Sequence, residues 1–141
     1  MYVEIVETKK QLDDAFKVRT EVFVEEQRVP MEEEIDQYED EAIHFVVYDK
    51  QQSAVGAGRL RFVDGYGKIE RICIQKNQRG TGTGKLLMEK IENVAKQKGA
   101  TQSKLNAQIQ AQPFYQKLGY ETVSGEFLDA GIPHVTMIKT F

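Results

Sequence analysis

Three glycines at alternate positions, Gly80, Gly82 and Gly84, mark the stretch of this chain best equipped for chemistry. They follow KIERICI at residues 68–74, which reads as a buried strand. They precede KLLMEKIENVAKQKG, whose apolar residues recur at helical spacing. A strand that runs through a glycine-rich turn into a helix gathers unpaired backbone N–H groups and the positive end of a helix dipole at one spot. Such a spot suits an anion, best of all a phosphate or diphosphate. It is not a Walker loop, because Arg79 and Leu86 stand where that pattern needs a glycine and a metal-binding hydroxyl. The dinucleotide pattern fails too, since its third glycine would fall on Lys85 or Leu87. What fits is R-x-x-G-x-G at Arg79, Gly82 and Gly84. Taken alone, that pattern also describes an ordinary strand-to-helix turn.

The elements that must position this loop are legible in the periodicity. Residues 2–6 alternate as a short first strand, and Thr8 with Gln11 has capping-box spacing, so a helix starts there. Its apolar stripe (Leu12, Ala15, Phe16, Val22, Phe23) is interrupted by Arg19, an arginine expected to snorkel or pair with a carboxylate. Pro30 stops any helix nearby. Residues 42–48, 55–63 and 68–74 read as three strands of an antiparallel meander, with Asp64-Gly65 as a hairpin turn. Leu86, Leu87, Ile91, Val94 and Ala95 form the buried face of the helix after the loop, and Gly99 ends it. A strand at residues 103–107, a short helix at 110–118 with Pro113 in its first turn, and strands near 121–123 and 135–140 follow. The order β-α-(α)-β-β-β-α-β-α-β-β predicts a mixed sheet, parallel only where the long helix crosses.

With 141 residues, 40% hydrophobic and 29% charged, the chain has the size and make-up of a soluble globular protein and is read as one domain, residues 1–141. A net charge of −3 argues against nucleic acid as a partner. The single cysteine excludes an internal disulfide and fits a reducing cytosol, so a cytoplasmic location is expected. No leader and no membrane-length apolar run is seen, and no membrane partner is expected. Residues 25–41 hold nine carboxylates against Arg28 alone. Such a run is either a solvated helix end and loop or an acidic rim that draws in a cationic amine.

Three features then combine in order: the R-x-x-G-x-G loop, Asn106 on the strand after the long helix, and AQPFYQKLGY at residues 111–120. Together they resemble the GNAT acetyltransferase superfamily over nearly the whole chain. RTEVFVEEQRVPMEEEID, residues 19–36, is similar to the N-terminal signature of its ElaA-like and YjcF-like branch. The resemblance implies an α/β GNAT-type acyl-CoA N-acyltransferase fold, a mixed central sheet of about seven strands flanked by about four helices. It implies acetyl-CoA as co-substrate, no metal, and an amine of a small molecule or peptide as acceptor; such proteins are commonly homodimers. Main-chain groups of Ile72, Cys73 and Ile74 would meet the pantetheine and thioester. Arg79, Gly80, Thr81, Gly82, Thr83, Gly84 and Lys85 would hold the diphosphate. Asn106 would bond the pantetheine arm, and Tyr115 would face the sulfur.

Amine attack on a thioester builds negative charge on the carbonyl oxygen, best met by a fixed backbone N–H, here that of Cys73 or Ile74. The leaving thiolate, whose thiol has a pKa of about 8.5, gains from a proton. Tyr115 can give it; otherwise it is a core tyrosine beside Phe114. The ammonium must lose a proton. Glu70, two residues before Ile72 and expected on the same strand face with a raised pKa, is the first candidate base. The alternative for Glu70 is an ion pair with Arg59, Arg61 or Arg71 across the sheet. His44, then His134, and water follow as candidates. Cys73, a buried strand cysteine with no cation beside it in sequence, is expected to be inert, which favours direct transfer over an acyl-enzyme. The second reading is an acyl-CoA-binding module without catalysis, which would need neither Glu70 nor Tyr115.

Overall fold

A computed structural model describes residues Met1–Phe141. The alternation near the start becomes strand β1 (Tyr2–Ile5). Helix α1 (Lys9–Arg19) opens with the full capping box: Thr8 Oγ1 accepts from the Gln11 N–H, and Gln11 Oε1 accepts from the Thr8 N–H. Beyond Arg19 the chain does not continue as α-helix. Thr20–Glu26 is π-helical, and a short helix α2 (Met31–Glu34) follows Pro30. Wide π turns are rare and gather at functional sites. Here they carry Val22, Phe23 and Gln27 to the wall of the cleft described below.

Strands β2 (Ile43–Tyr48), β3 (Ala54–Val63) and β4 (Tyr66–Ile74) form the expected meander. Helix α3 (Thr83–Gln97) crosses to β5 (Gln102–Gln108), and α4 (Gln112–Lys117) begins with proline in its first turn. Then come β6 (Glu121–Thr122), β7 (Phe127–Asp129) and β8 (Ile132–Thr140). The sheet has eight strands in the order β1-β2-β3-β4-β5-β8-β6, with β7 paired to β8. All pairs are antiparallel except β4 with β5, the pair bridged by α3. The extra strand β7 forms a hairpin with β8 through Ala130 and Gly131, in a stretch whose sequence shows no alternation. No helix is long and apolar enough to cross a membrane.

Two apolar clusters hold the layers together. One lies between the sheet and α3, around Leu60, Leu87, Ile91 and Met137; the smaller lies between the sheet and α1, around Val18, Val46 and Cys73. On the α1 side the acidic segment divides: Glu25, Glu26, Glu32, Glu33, Asp40 and Glu41 are exposed, as a solvated helix end and loop would have them, and the other three carboxylates are not. Glu34, Asp36 and Glu39 fold inward onto three arginines. Arg19, 1% exposed, donates to Glu34 Oε1 at 2.7 Å and to both carboxylate oxygens of Glu39 at 2.9 and 2.7 Å. Arg59, equally buried, grips Asp36 at 2.8 and 2.7 Å. Arg71 donates to the Glu33 and Glu34 carbonyls and to Asp36. Buried charges survive only when paired in this way.

This network has a pH signature. Burial disfavours the carboxylates, but the hydrogen bonds from Arg59 to Asp36 and from Arg19 to Glu39 outweigh it and hold both pKa values down at about 2. A carboxyl depressed in the folded state stabilises the fold above its unfolded pKa and loses that contribution as pH falls through the folded one. The thermal midpoint should therefore hold down to the ordinary carboxyl values of 3.8 and 4.5 and fall steeply towards about 2. A melting series across that range checks it.

Candidate active site

The glycine loop is built as an anion cradle. Gly80 and Gly82 have φ of 79° and 86°, a left-handed conformation that side-chain-bearing residues adopt at a cost. A Cβ on either would meet nothing within 4 Å, so the space above them is open. Gly82 N-caps α3, and none of the N–H groups of residues 80–85 donates to a group within the chain. These are the orphan donors of a helix N-terminus extended backwards by a turn. Gly84 serves a second purpose: a Cβ there would lie 3.0 Å from Phe114 Cζ, so its bareness lets α4 pack beside α3. Thr81 Oγ1 donates to the Gln78 carbonyl at 2.6 Å and lies 2.8 Å from Thr83 Oγ1, which stiffens the turn. The Lys85 ammonium is exposed, 4.0 Å from Glu89.

A cleft opens beside this loop because β4 and β5 part company. They are in register only at Gly67–Ser103 and Lys68–Lys104 and diverge beyond. The resulting cavity of about 680 Å³ is walled by Ile69 through Ile74 on one side and Leu105 through Gln108 on the other. Tyr115, Arg79, His134 and part of α2 complete its lining. A bulge on β4 deepens it. Ala57 pairs with Cys73 but Arg59 pairs with Glu70, so Gly58 alone faces both Arg71 and Ile72. Arg71 takes φ of 58°, a strained value for a non-glycine residue. Neither Arg71 nor Ile72 has a ladder partner on either neighbouring strand.

The bulge corrects the reading of Glu70. Ile72 points to the α3 side, its Cδ1 lying 2.7 Å from where a Gly58 Cβ would be, beside Ile91 and Leu87. Glu70 points to the other side, where Arg59 Nε, Arg61 Nε and Arg61 Nη2 donate to it at 3.1, 2.8 and 3.2 Å and Lys68 Nζ lies at 3.3 Å. Its pKa is therefore not raised. Burial pushes it up, but Arg61, Arg59 and Lys68 together bring it below the ordinary value. The cross-sheet ion pair is what the structure contains, and a carboxylate so engaged is a poor proton acceptor.

The remaining candidates separate by position. Cys73 lines the cleft with its thiol pushed up to about 12 by burial, as an inert cysteine should be. His44 lies outside the cleft, its Nε2 2.8 Å from the Glu39 carbonyl and its ring edge-on to Phe16; burial lowers its pKa. His134 does line the cleft, with Nδ1 2.6 Å from the Ile132 carbonyl and its ring stacked on Phe127. Asn106 lines the cleft and accepts through Oδ1 from Thr136 at 2.9 Å, leaving its amide N–H groups available. Tyr115 is 8% exposed, packed edge-on against Phe114 and Tyr120. Its hydroxyl bonds to no group of the chain, and burial raises its pKa, so it stays protonated. Arg79 donates from Nε to the Ile74 carbonyl at 2.9 Å and from both terminal nitrogens to Glu26.

The open cradle, the parted strands and the free tyrosine hydroxyl coincide with a known domain. The family model described as the acetyltransferase (GNAT) domain matches residues 6–141. The chain belongs to the GNAT acetyltransferase family. It is 55% identical to the uncharacterized N-acetyltransferase YjcF of Bacillus subtilis (strain 168), over 99% of each chain. An acyl-CoA N-acyltransferase from Pseudomonas aeruginosa superposes with a TM-score of 0.87 at 27% identity, covering 99% of this chain and 100% of that one. Escherichia coli ElaA superposes with a TM-score of 0.85 at 23% identity over 99% of both, a likeness of fold. The ElaA-like and YjcF-like branch read from residues 19–36 is thereby supported. Three cleft residues carried no signal in the sequence: Arg71, whose side chain looks like any strand arginine, and Gln27 and Gln108, brought together only by the fold.

Proposed function

We propose that this GNAT protein transfers an acetyl group directly from acetyl-CoA to a primary amine of a small molecule or peptide. The row of unpaired amides at residues 80–85, following Arg79 at the edge of the cleft between β4 and β5, carries this reading. Those amides and the α3 dipole suit the coenzyme's diphosphate, and the open space over Gly80 and Gly82 admits it. The cleft wall at Ile72, Cys73 and Ile74 would run beside the pantetheine arm, with the Asn106 amide as a donor to it. When bound, the coenzyme supplies an activated acyl group.

The chain's own groups then have three tasks. Main-chain N–H groups at the bulge and at Cys73 and Ile74, fixed before reaction, stabilise negative charge on the acyl oxygen. The Tyr115 hydroxyl, protonated and unengaged, donates to the departing sulfur. With Glu70 held by three cations and His44 outside the cleft, the amine gives its proton to cleft water or to His134, the imidazole that lines the cleft. Glu70 organises the arginines behind the acceptor wall.

Free-thiol release from acetyl-CoA, followed with a panel of polyamines, aminoglycosides, amino acids and peptides, tests the proposal. Turnover with one class supports it. Tight CoA binding with no turnover across the panel would favour the acyl-CoA-binding module instead.

A further inference from the structure

We propose that Glu26 sets how tightly the loop at residues 80–85 grips an anionic coenzyme, by occupying Arg79. The inference rests on the coenzyme-binding reading above. Arg79 is the cation at the head of the loop, yet each of its three guanidinium nitrogens already donates within the chain. Nη1 and Nη2 donate to Glu26 Oε2 and Oε1 at 2.7 and 2.8 Å, while Nε is anchored on the Ile74 carbonyl at 2.9 Å. The carboxylate cancels the charge that would otherwise face a diphosphate.

Glu26 cannot simply drift away. It is the last residue of the π-helical turns, and that segment is tied to both walls of the cleft. Gln75 Nε2 donates to Glu21 Oε2 at 2.8 Å just beyond the end of β4, and Gln108 Nε2 donates to Gln27 Oε1 at 2.8 Å at the end of β5. The Glu26 charge therefore stays beside the loop whether or not Arg79 turns to a ligand. The pair itself is open to exchange, its side chains being 40% and 38% exposed, and a water-accessible ion pair contributes little. An incoming diphosphate with two negative charges competes for Arg79 on favourable terms, and Glu26 opposes it.

Glu26→Gln keeps the size of the side chain and one acceptor but removes the charge. In calorimetric titrations of the whole chain at low salt, the variant should bind CoA about fivefold tighter than wild type, the scale of a surface ion pair. The gain should shrink as salt is added. Pantetheine, which lacks the diphosphate, should bind both proteins alike, which separates a charge effect from loosened packing. In an Arg79→Gln background the Glu26→Gln gain should be much smaller, because the competition for Arg79 is gone and only the screened repulsion of an exposed carboxylate remains. Weaker or unchanged CoA binding by Glu26→Gln, equal gains for pantetheine, or a gain undiminished without Arg79 would each overturn the inference alone. A wild-type chain that does not bind CoA would overturn the coenzyme reading and the inference with it.

Discussion

Tyr115→Phe should lower turnover by about a hundredfold or more while leaving CoA affinity nearly unchanged, since a positioned general acid contributes about 10²–10⁴ in rate. The substitution is well isolated. The hydroxyl makes no bond within the chain, so its removal orphans no partner, and the ring contacts with Phe114 and Tyr120 persist. Folding stability should therefore hold, and a thermal melt run beside the kinetics verifies it. A parallel loss of kcat and CoA affinity would point to packing, and an unchanged kcat would remove the tyrosine from the chemistry.

Gly82→Asp should weaken CoA binding by about two orders of magnitude. The left-handed backbone at φ of 86° costs an added side chain roughly 1 kcal/mol of folding stability, in the free and the bound protein alike, so it does not itself weaken binding. The loss of affinity is electrostatic: like charges about 5 Å apart repel by about 3 kcal/mol at an effective dielectric near 20. Because a Cβ at Gly82 meets nothing within 4 Å, the variant should still fold. Gly82→Ala, which adds bulk without charge, should lose much less. Equal affinities for the wild type and the Asp variant, measured by titration, would mean that the diphosphate lies elsewhere.

The strand and helix order was legible because each element carries its own period, down to the Thr8 capping box and the proline opening α4. The loop was legible because three glycines so close to a helix start have few uses. Glu70 was not, for a local reason. Two-residue alternation places Glu70 and Ile72 on one face, and a single left-handed residue between them breaks the alternation. Nothing in the letters RIC marks Arg71 as that residue. The acidic run was similarly opaque, since charge along a chain does not say which carboxylates meet buried arginines. The carboxylates of residues 34, 36 and 39 owe their burial to Arg19, Arg59 and Arg71, which lie on other elements.

Arg71 is also supernumerary. Without it, Glu70, Ile72 and Cys73 would already alternate towards α1, α3 and α1, the sides on which the arginines hold Glu70 and the two apolar clusters take Ile72 and Cys73. Excising that one amino acid should thus yield a regular β-ladder against Gly58 and a protein that still folds. Amide exchange along the straightened segment should slow, and acetyl transfer should fall, because backbone that now lacks a ladder partner would be spent on the neighbouring strand.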